Sequence, residues 1–164
     1  MNSIGLYVVG HIVRLLPDTR CFGIKRSLYR MCGVKIGNNV RICSSAVICG
    51  DGMLTIGDNT WLGHEVLIGC TNNIRIGCDC DIAPRVYIGD GTHEINRESP
   101  NVAGKGTTMP IIVGDGCWLC ANSTILPGSI IGTKCIVAAG SVFKGRSNSF
   151  ELWGGVLAKK IKDL

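Results

Sequence analysis

The sequence predicts an all-β chain wound as a parallel β-helix, preceded by a short helical segment. Three observations carry this. An aliphatic residue returns at every sixth position over most of the chain. A second column of small residues stays in phase with the first. Glycine is abundant, 23 of 164 residues, while aromatics make up only 5%. Such a mix suits short extended segments around a narrow interior better than helices packed on large side chains.

The first column reads Ile36, Ile42, Ile48; after two extra residues it resumes as Ile56, Leu62, Ile68, and after two more as Ile76, Ile82, Ile88. A long break from Asp90 to Met109 follows, and the series returns as Val113, Leu119, Ile125, Ile131, Val137. The next position is usually small, as at Gly37, Gly57, Gly77 and Gly114, and is expected to permit the bend between segments. The position four after each aliphatic is also small: Val40, Ala46, Thr60, Val66, Cys80, Val86, Cys117, Ser123, Ser129, Cys135, Ser141. Each hexad supplies one short segment and one turn, three hexads close one triangular coil, and stacked coils bury a continuous aliphatic column. The insertions after Gly50 and Cys70 keep phase and are expected to bulge outward at corners.

Residues 1–33 differ in kind and are read as an amphipathic or capping segment ahead of a β-helix domain over 34–164. Ile4, Leu6, Tyr7, Val8, Ile12, Val13, Leu15 and Leu16 form an apolar stretch that stops before Pro17, too short and interrupted to span a bilayer. Capping of the open end of the β-helix is the favoured role; peripheral contact with a membrane is a second, compatible one. The net charge of +5 is concentrated at the two ends, where it invites an anionic partner such as a phosphate-bearing cofactor or a membrane surface. No nucleic-acid partner is expected. Without a recognisable secretory leader the chain reads as cytoplasmic, free or associated with the cytoplasmic face of a membrane. Of the ten cysteines, Cys80, Cys117 and Cys135 fall in the small inward column, so core packing is favoured over disulfides or zinc for the C-x-C and C-x-x-C pairs.

The pattern [LIV]-[GAC]-x-x-[STAVC]-x resembles that of the hexapeptide-repeat acyltransferases, and the likeness covers roughly Val34 to Leu164. It is similar in particular to the bacterial sugar O-acetyltransferases of lipopolysaccharide, O-antigen and capsule synthesis. The resemblance implies a left-handed parallel β-helix, a homotrimer, acetyl-CoA as co-substrate in a groove between subunits, a carbohydrate acceptor (free or lipid-linked), and no metal. Zinc-dependent carbonic anhydrases share the fold but need three grouped histidines, and His11, His64 and His93 are scattered.

The break at Asp90–Met109 is long for a regular solenoid, and such loops are usually functional. It carries His93, where the resembling families place a catalytic histidine. A neutral imidazole can take the proton of a sugar hydroxyl as it attacks a thioester. Glu94, Asp90 and Asp81 are candidates to orient it. For the cofactor, the resemblance implies backbone contacts at Ala121 and Ala139, Trp118 near the active site, Lys144 near the arm or phosphates, and Lys159 and Lys162 at the phosphates. Leu157 stands where the family tail has proline, and Lys144–Gly145 where it has T-K; both departures point to a mobile tail. An N-acetyltransferase acting on an amino sugar and a non-catalytic scaffold remain the alternatives.

Overall fold

The computed structural model describes residues 1–164. Two helices, α1 (Ser3–Arg14) and α2 (Phe22–Met31), precede a β-solenoid of about 6 turns. The first coil holds β1 (Lys35–Ile36), β2 (Arg41–Ile42) and β3 (Val47–Cys49); the second β4 (Met53–Ile56), β5 (Trp61–Leu62) and β6 (Leu67–Gly69); the third β7 (Asn73–Ile76), β8 (Asp81–Ile82) and β9 (Tyr87–Gly89). An arm of β10 (Gly91–Ile95) and β11 (Ala103–Thr108) interrupts the winding. Coil four holds β12 (Ile111–Val113), β13 (Trp118–Leu119) and β14 (Thr124–Ile125), and coil five β15 (Ile130–Ile131), β16 (Ile136–Val137) and β17 (Val142–Phe143). β18 (Glu151–Gly155) and β19 (Ala158–Asp163) end the chain.

The strands stack as three parallel sheets. Face one is β1-β4-β7-β12-β15, face two β2-β5-β8-β13-β16-β18 with β19 antiparallel at its end, and face three β3-β6-β9-β14-β17. The aliphatic column from Ile36 to Val137 and the column four places on, from Val40 to Ser141, are buried throughout. Phe143 continues the aliphatic column, and Trp153 closes it with an edge-on contact at 5.1 Å between ring centroids.

The glycine after each aliphatic does not make the bend. The left-handed residue is the third after the aliphatic: Asn39, Asn59, Asp79 and Lys134 at one corner, Glu65, Arg85 and Asn122 at the next. The glycines are required instead by the stacking of coils. A Cβ at Gly57 would lie 2.5 Å from the backbone nitrogen of Cys78, and one at Gly114 would lie 2.7 Å from that of Thr133. Asparagine and aspartate suit the corner because they tolerate the left-handed region. They also bond to one another up the stack, with Asn39 Nδ2 donating to Asn59 Oδ1 at 3.0 Å and Asn59 Nδ2 to Asp79 Oδ1 at 2.9 Å.

A parallel β-helix leaves a ring of unpaired backbone groups at its first coil, and buried carbonyls need donors. In coil two the carbonyls of Ile56, Thr60 and Leu62 accept the amides of Gly37, Arg41 and Cys43. The equivalent carbonyls of coil one belong to Ile36, Val40 and Ile42. They accept Arg30 Nη2 at 2.7 Å, Arg26 Nη1 at 2.8 Å and Lys25 Nζ at 3.1 Å, all from α2. Lys25 is wholly buried and also donates to the carbonyls of Pro17 and Asp18. Three of the bases expected to meet an anion therefore replace a missing coil. The acid in this region, Asp18, accepts from Ser45 and lies 2.7 Å from His64 Nδ1.

The interior cysteines have the same character. Thr60 Oγ1 donates to the Gly77 carbonyl at 2.8 Å, and in the same column Cys80, Cys117 and Cys135 donate to the carbonyls of Gly114, Gly132 and Asn148 at 3.1, 3.0 and 2.9 Å. Cys78 and Cys120 are half-buried, and all ten cysteines are free thiols.

Candidate active site

Both short insertions and the long one leave the solenoid at a single corner, between faces three and one. Asp51 and Thr71–Asn72 lie exposed there, as the sequence led us to expect. The arm rises above them. Asp90, fully buried at its base, accepts from Thr71 N at 2.7 Å, Thr71 Oγ1 at 2.8 Å and Asn72 N at 2.8 Å. Asn72 Nδ2 donates in turn to Thr108 Oγ1 at 3.0 Å. The insertion below is thus the footing of the arm.

His93 sits on β10, opposite Gly106 of β11, with its side chain exposed. None of the three acids considered for orienting it does so: Asp90 is spent on Thr71 and Asn72, Asp81 lies on β8 of face two, and the bond is made by a backbone group. His93 Nδ1 lies 3.0 Å from the Gly104 carbonyl oxygen. A carbonyl can only accept, so Nδ1 carries the proton. In the neutral ring Nε2 is then left with its lone pair free to accept. His93 lines a cleft with Thr71, Thr92, Thr107 and Thr108, a surface rich in hydroxyls.

The other candidates gather elsewhere. Trp118, half exposed, projects from face two in register with Asp81 below and Ile136 above. Ala121 and Ala139 stack at the adjoining corner, with Gly140 N donating to the Ala121 carbonyl at 3.0 Å. Lys159 and Lys162 lie exposed on β19 at the end of the same face. Lys144 is exposed just beyond β17, at the corner from which the arm departs two coils below. In a triangular prism that corner is opposite face two, so His93 and Trp118 of one chain stand on opposite sides. The sequence also passed over Trp61, which with Asp81 and Trp118 forms an outward ladder on face two, Arg41 stacking over its ring at 4.8 Å.

The tail is a strand where mobility was expected. β19 pairs antiparallel with β18, and Lys160 Nζ bonds Glu151 Oε1 at 2.9 Å and Asp163 Oδ1 at 2.7 Å. Glu151 is buried and also accepts from Trp153 Nε1 and Asn148 N. Lys160 above all, then Trp153 and Asn148, hold its carboxyl down at about 2.

Comparison with known proteins gives the family likeness. Residues 110–145 match the model of the bacterial transferase hexapeptide (six repeats). Over 118 residues the chain is 35% identical to WcaF of Escherichia coli K12, named as a colanic acid biosynthesis acetyltransferase, covering 71% of this chain and 63% of that protein. Over 121 residues it is 34% identical to WbbJ of the same organism, named as a lipopolysaccharide biosynthesis O-acetyl transferase, covering 69% and 62%. The chain thus spans somewhat under two thirds of the length of these relatives. A crystal structure of the hexapeptide-repeat acetyltransferase VCA0836 from Vibrio cholerae superposes with a TM-score of 0.80 at 20% identity, covering 98% of this chain and 89% of that one. The chain is a hexapeptide-repeat β-helix protein. Its particular likeness is to the WcaF and WbbJ sugar acetyltransferases.

Proposed function

We propose that the protein is an acetyl-CoA-dependent O-acetyltransferase that acetylates a sugar hydroxyl in surface polysaccharide synthesis. The observation that carries this is the bond from His93 Nδ1 to the Gly104 carbonyl. It fixes the tautomer in which Nε2 is a base, on an arm rigidly footed through Asp90. Nε2 takes the proton of the acceptor hydroxyl, the oxygen attacks the thioester carbonyl, and the tetrahedral intermediate expels CoA thiolate, which the imidazolium reprotonates. Relatives named for colanic acid and lipopolysaccharide synthesis support the sugar acceptor. A VCA0836 structure described as complexed with acetyl-CoA supports the donor.

The separation of His93 from Trp118 and the two-alanine corner supports a site assembled between copies. A groove holding both needs two copies, with the arm of one facing the second face of the next, as in a homotrimer. Trp118, Ala121 and Ala139 then flank the pantetheine arm, and Lys159 and Lys162 approach the phosphates. Lys144, on the His93 side, meets the cofactor from the neighbouring copy.

The test is His93→Ala, assayed by thiol release from acetyl-CoA over a panel of sugars and amino-sugar nucleotides. Transfer should fall by about 10²–10⁴-fold, while oligomeric mass and acetyl-CoA binding stay unchanged. Full turnover in the variant would remove His93 from catalysis. Release with amino sugars only would shift the acceptor from oxygen to nitrogen.

A further inference from the structure

α1 packs on coil one with Leu6, Val9 and Val13, which are buried. Its opposite side is apolar as well. Ile4 and Leu15 are 77% and 87% exposed, and Tyr7, Val8 and Ile12 are exposed between them. At 100° per residue Ile4, Leu15, Val8 and Ile12 fall within one arc, a continuous apolar stripe along a helix of 12 residues. A capping helix needs one apolar face, and this one has two. Scattered exposed apolar residues mean little, but a contiguous stripe marks a contact surface.

The surroundings of the stripe select its partner. Arg14 is exposed beside it, and the acid that follows the helix, Asp18, is occupied by Ser45 and His64. The helix carries no acid of its own. A second copy meeting this surface would therefore offer Arg14 no acidic partner on the helix. Between α1 and β3 there is also an apolar cleft of about 460 Å³, lined by Leu6, Tyr7, Val47 and Cys49 with His11 and Arg14 among its walls. Apolar surface bordered by a cation with no acid on the helix complements acyl chains beneath anionic headgroups. We infer that the α1 end of the molecule docks on a bilayer surface containing anionic phospholipid. No helix of the chain is long and apolar enough to cross a membrane, so α1 would lie in the plane of the interface. The inference is independent of catalysis: it concerns the end of the prism, not the arm.

The experiment is co-sedimentation of the full chain with phosphatidylcholine vesicles, either pure or with about 30 mol% phosphatidylglycerol. Binding is expected to the anionic vesicles, weaker to the neutral ones, and decreasing with salt. The pair Ile4→Glu and Leu15→Glu should lower vesicle binding at least about tenfold, and Arg14→Gln should reduce the preference for anionic lipid. Both substituted side chains are exposed, so far-ultraviolet dichroism and the melting transition should match the parent. His93→Ala should bind vesicles like the parent, which separates this result from any failure of the proposed activity. Failure to sediment with either vesicle, or undiminished binding by the Glu pair, would overturn the inference. So would a Glu pair that shifts the oligomeric mass and leaves vesicle binding unchanged, because the stripe would then belong to another copy.

Discussion

At the residue scale, the interior column Thr60, Cys80, Cys117, Cys135 shows how one chemical requirement is met by two residue types. Each side chain fills a small volume and donates to a carbonyl of the next coil. The hexad pattern revealed the size requirement but not the donor requirement, because the carbonyl served lies in the next coil and belongs to no local motif. Cys117→Thr should therefore melt close to the parent, and Cys117→Val, of similar volume, should cost about 1–3 kcal/mol by stranding the Gly132 carbonyl. Equal melting of the Thr and Val variants by calorimetry would show that only volume matters. The same blindness explains the tautomer of His93. The sequence offered three acids nearby, and a backbone carbonyl on the facing strand makes the bond.

At the element scale, both ends of the solenoid are closed by basic side chains, and each closure uses a different acceptor. At the start, Arg30, Arg26 and Lys25 of α2 meet backbone carbonyls. At the finish, Lys160 of β19 meets the buried carboxylate of Glu151. The crowding of bases at the two ends was legible in the sequence. Their partners were not, since an open ring of carbonyls exists only once the coil has closed. The Glu151 closure has a pH signature. Folding lowers its carboxyl from 4.5 to about 2, so its contribution is complete above the unfolded value and is lost as pH falls through the folded one. Melting temperature should consequently drop more steeply for the parent than for Glu151→Gln between about pH 5 and pH 2, with the two converging at the acid limit. Parallel profiles would mean that the carboxylate is not the titrating group.

At the scale of the whole molecule, the fold was largely readable and the placing of the candidate residues around the prism was not. A six-residue period announces a prism and leaves open which corner carries the excursion relative to which face carries the tryptophan. Only the winding shows that His93 and Trp118 stand on opposite sides of one chain. If the active groove joins two copies, mixed oligomers can rescue each other. Combining inactive His93→Ala with inactive Trp118→Ala subunits should restore about one quarter of the grooves on random assembly of a ring. Light scattering should give a trimeric mass for both parents. No recovery on mixing would place the complete site within one subunit.

The single corner that receives every insertion has a consequence of another kind. Extra length is added there in whole loops, because Thr71–Asn72 and the arm both leave and rejoin the winding without shifting the buried columns by one position. The corner behaves as a socket. An arm of different length or composition, grafted between Asp90 and Met109 with the Asp90 footing retained, would meet the same unchanged prism. If the proposed activity holds, exchange of one hairpin would alter the acceptor side alone and leave face two, with Trp118, unchanged.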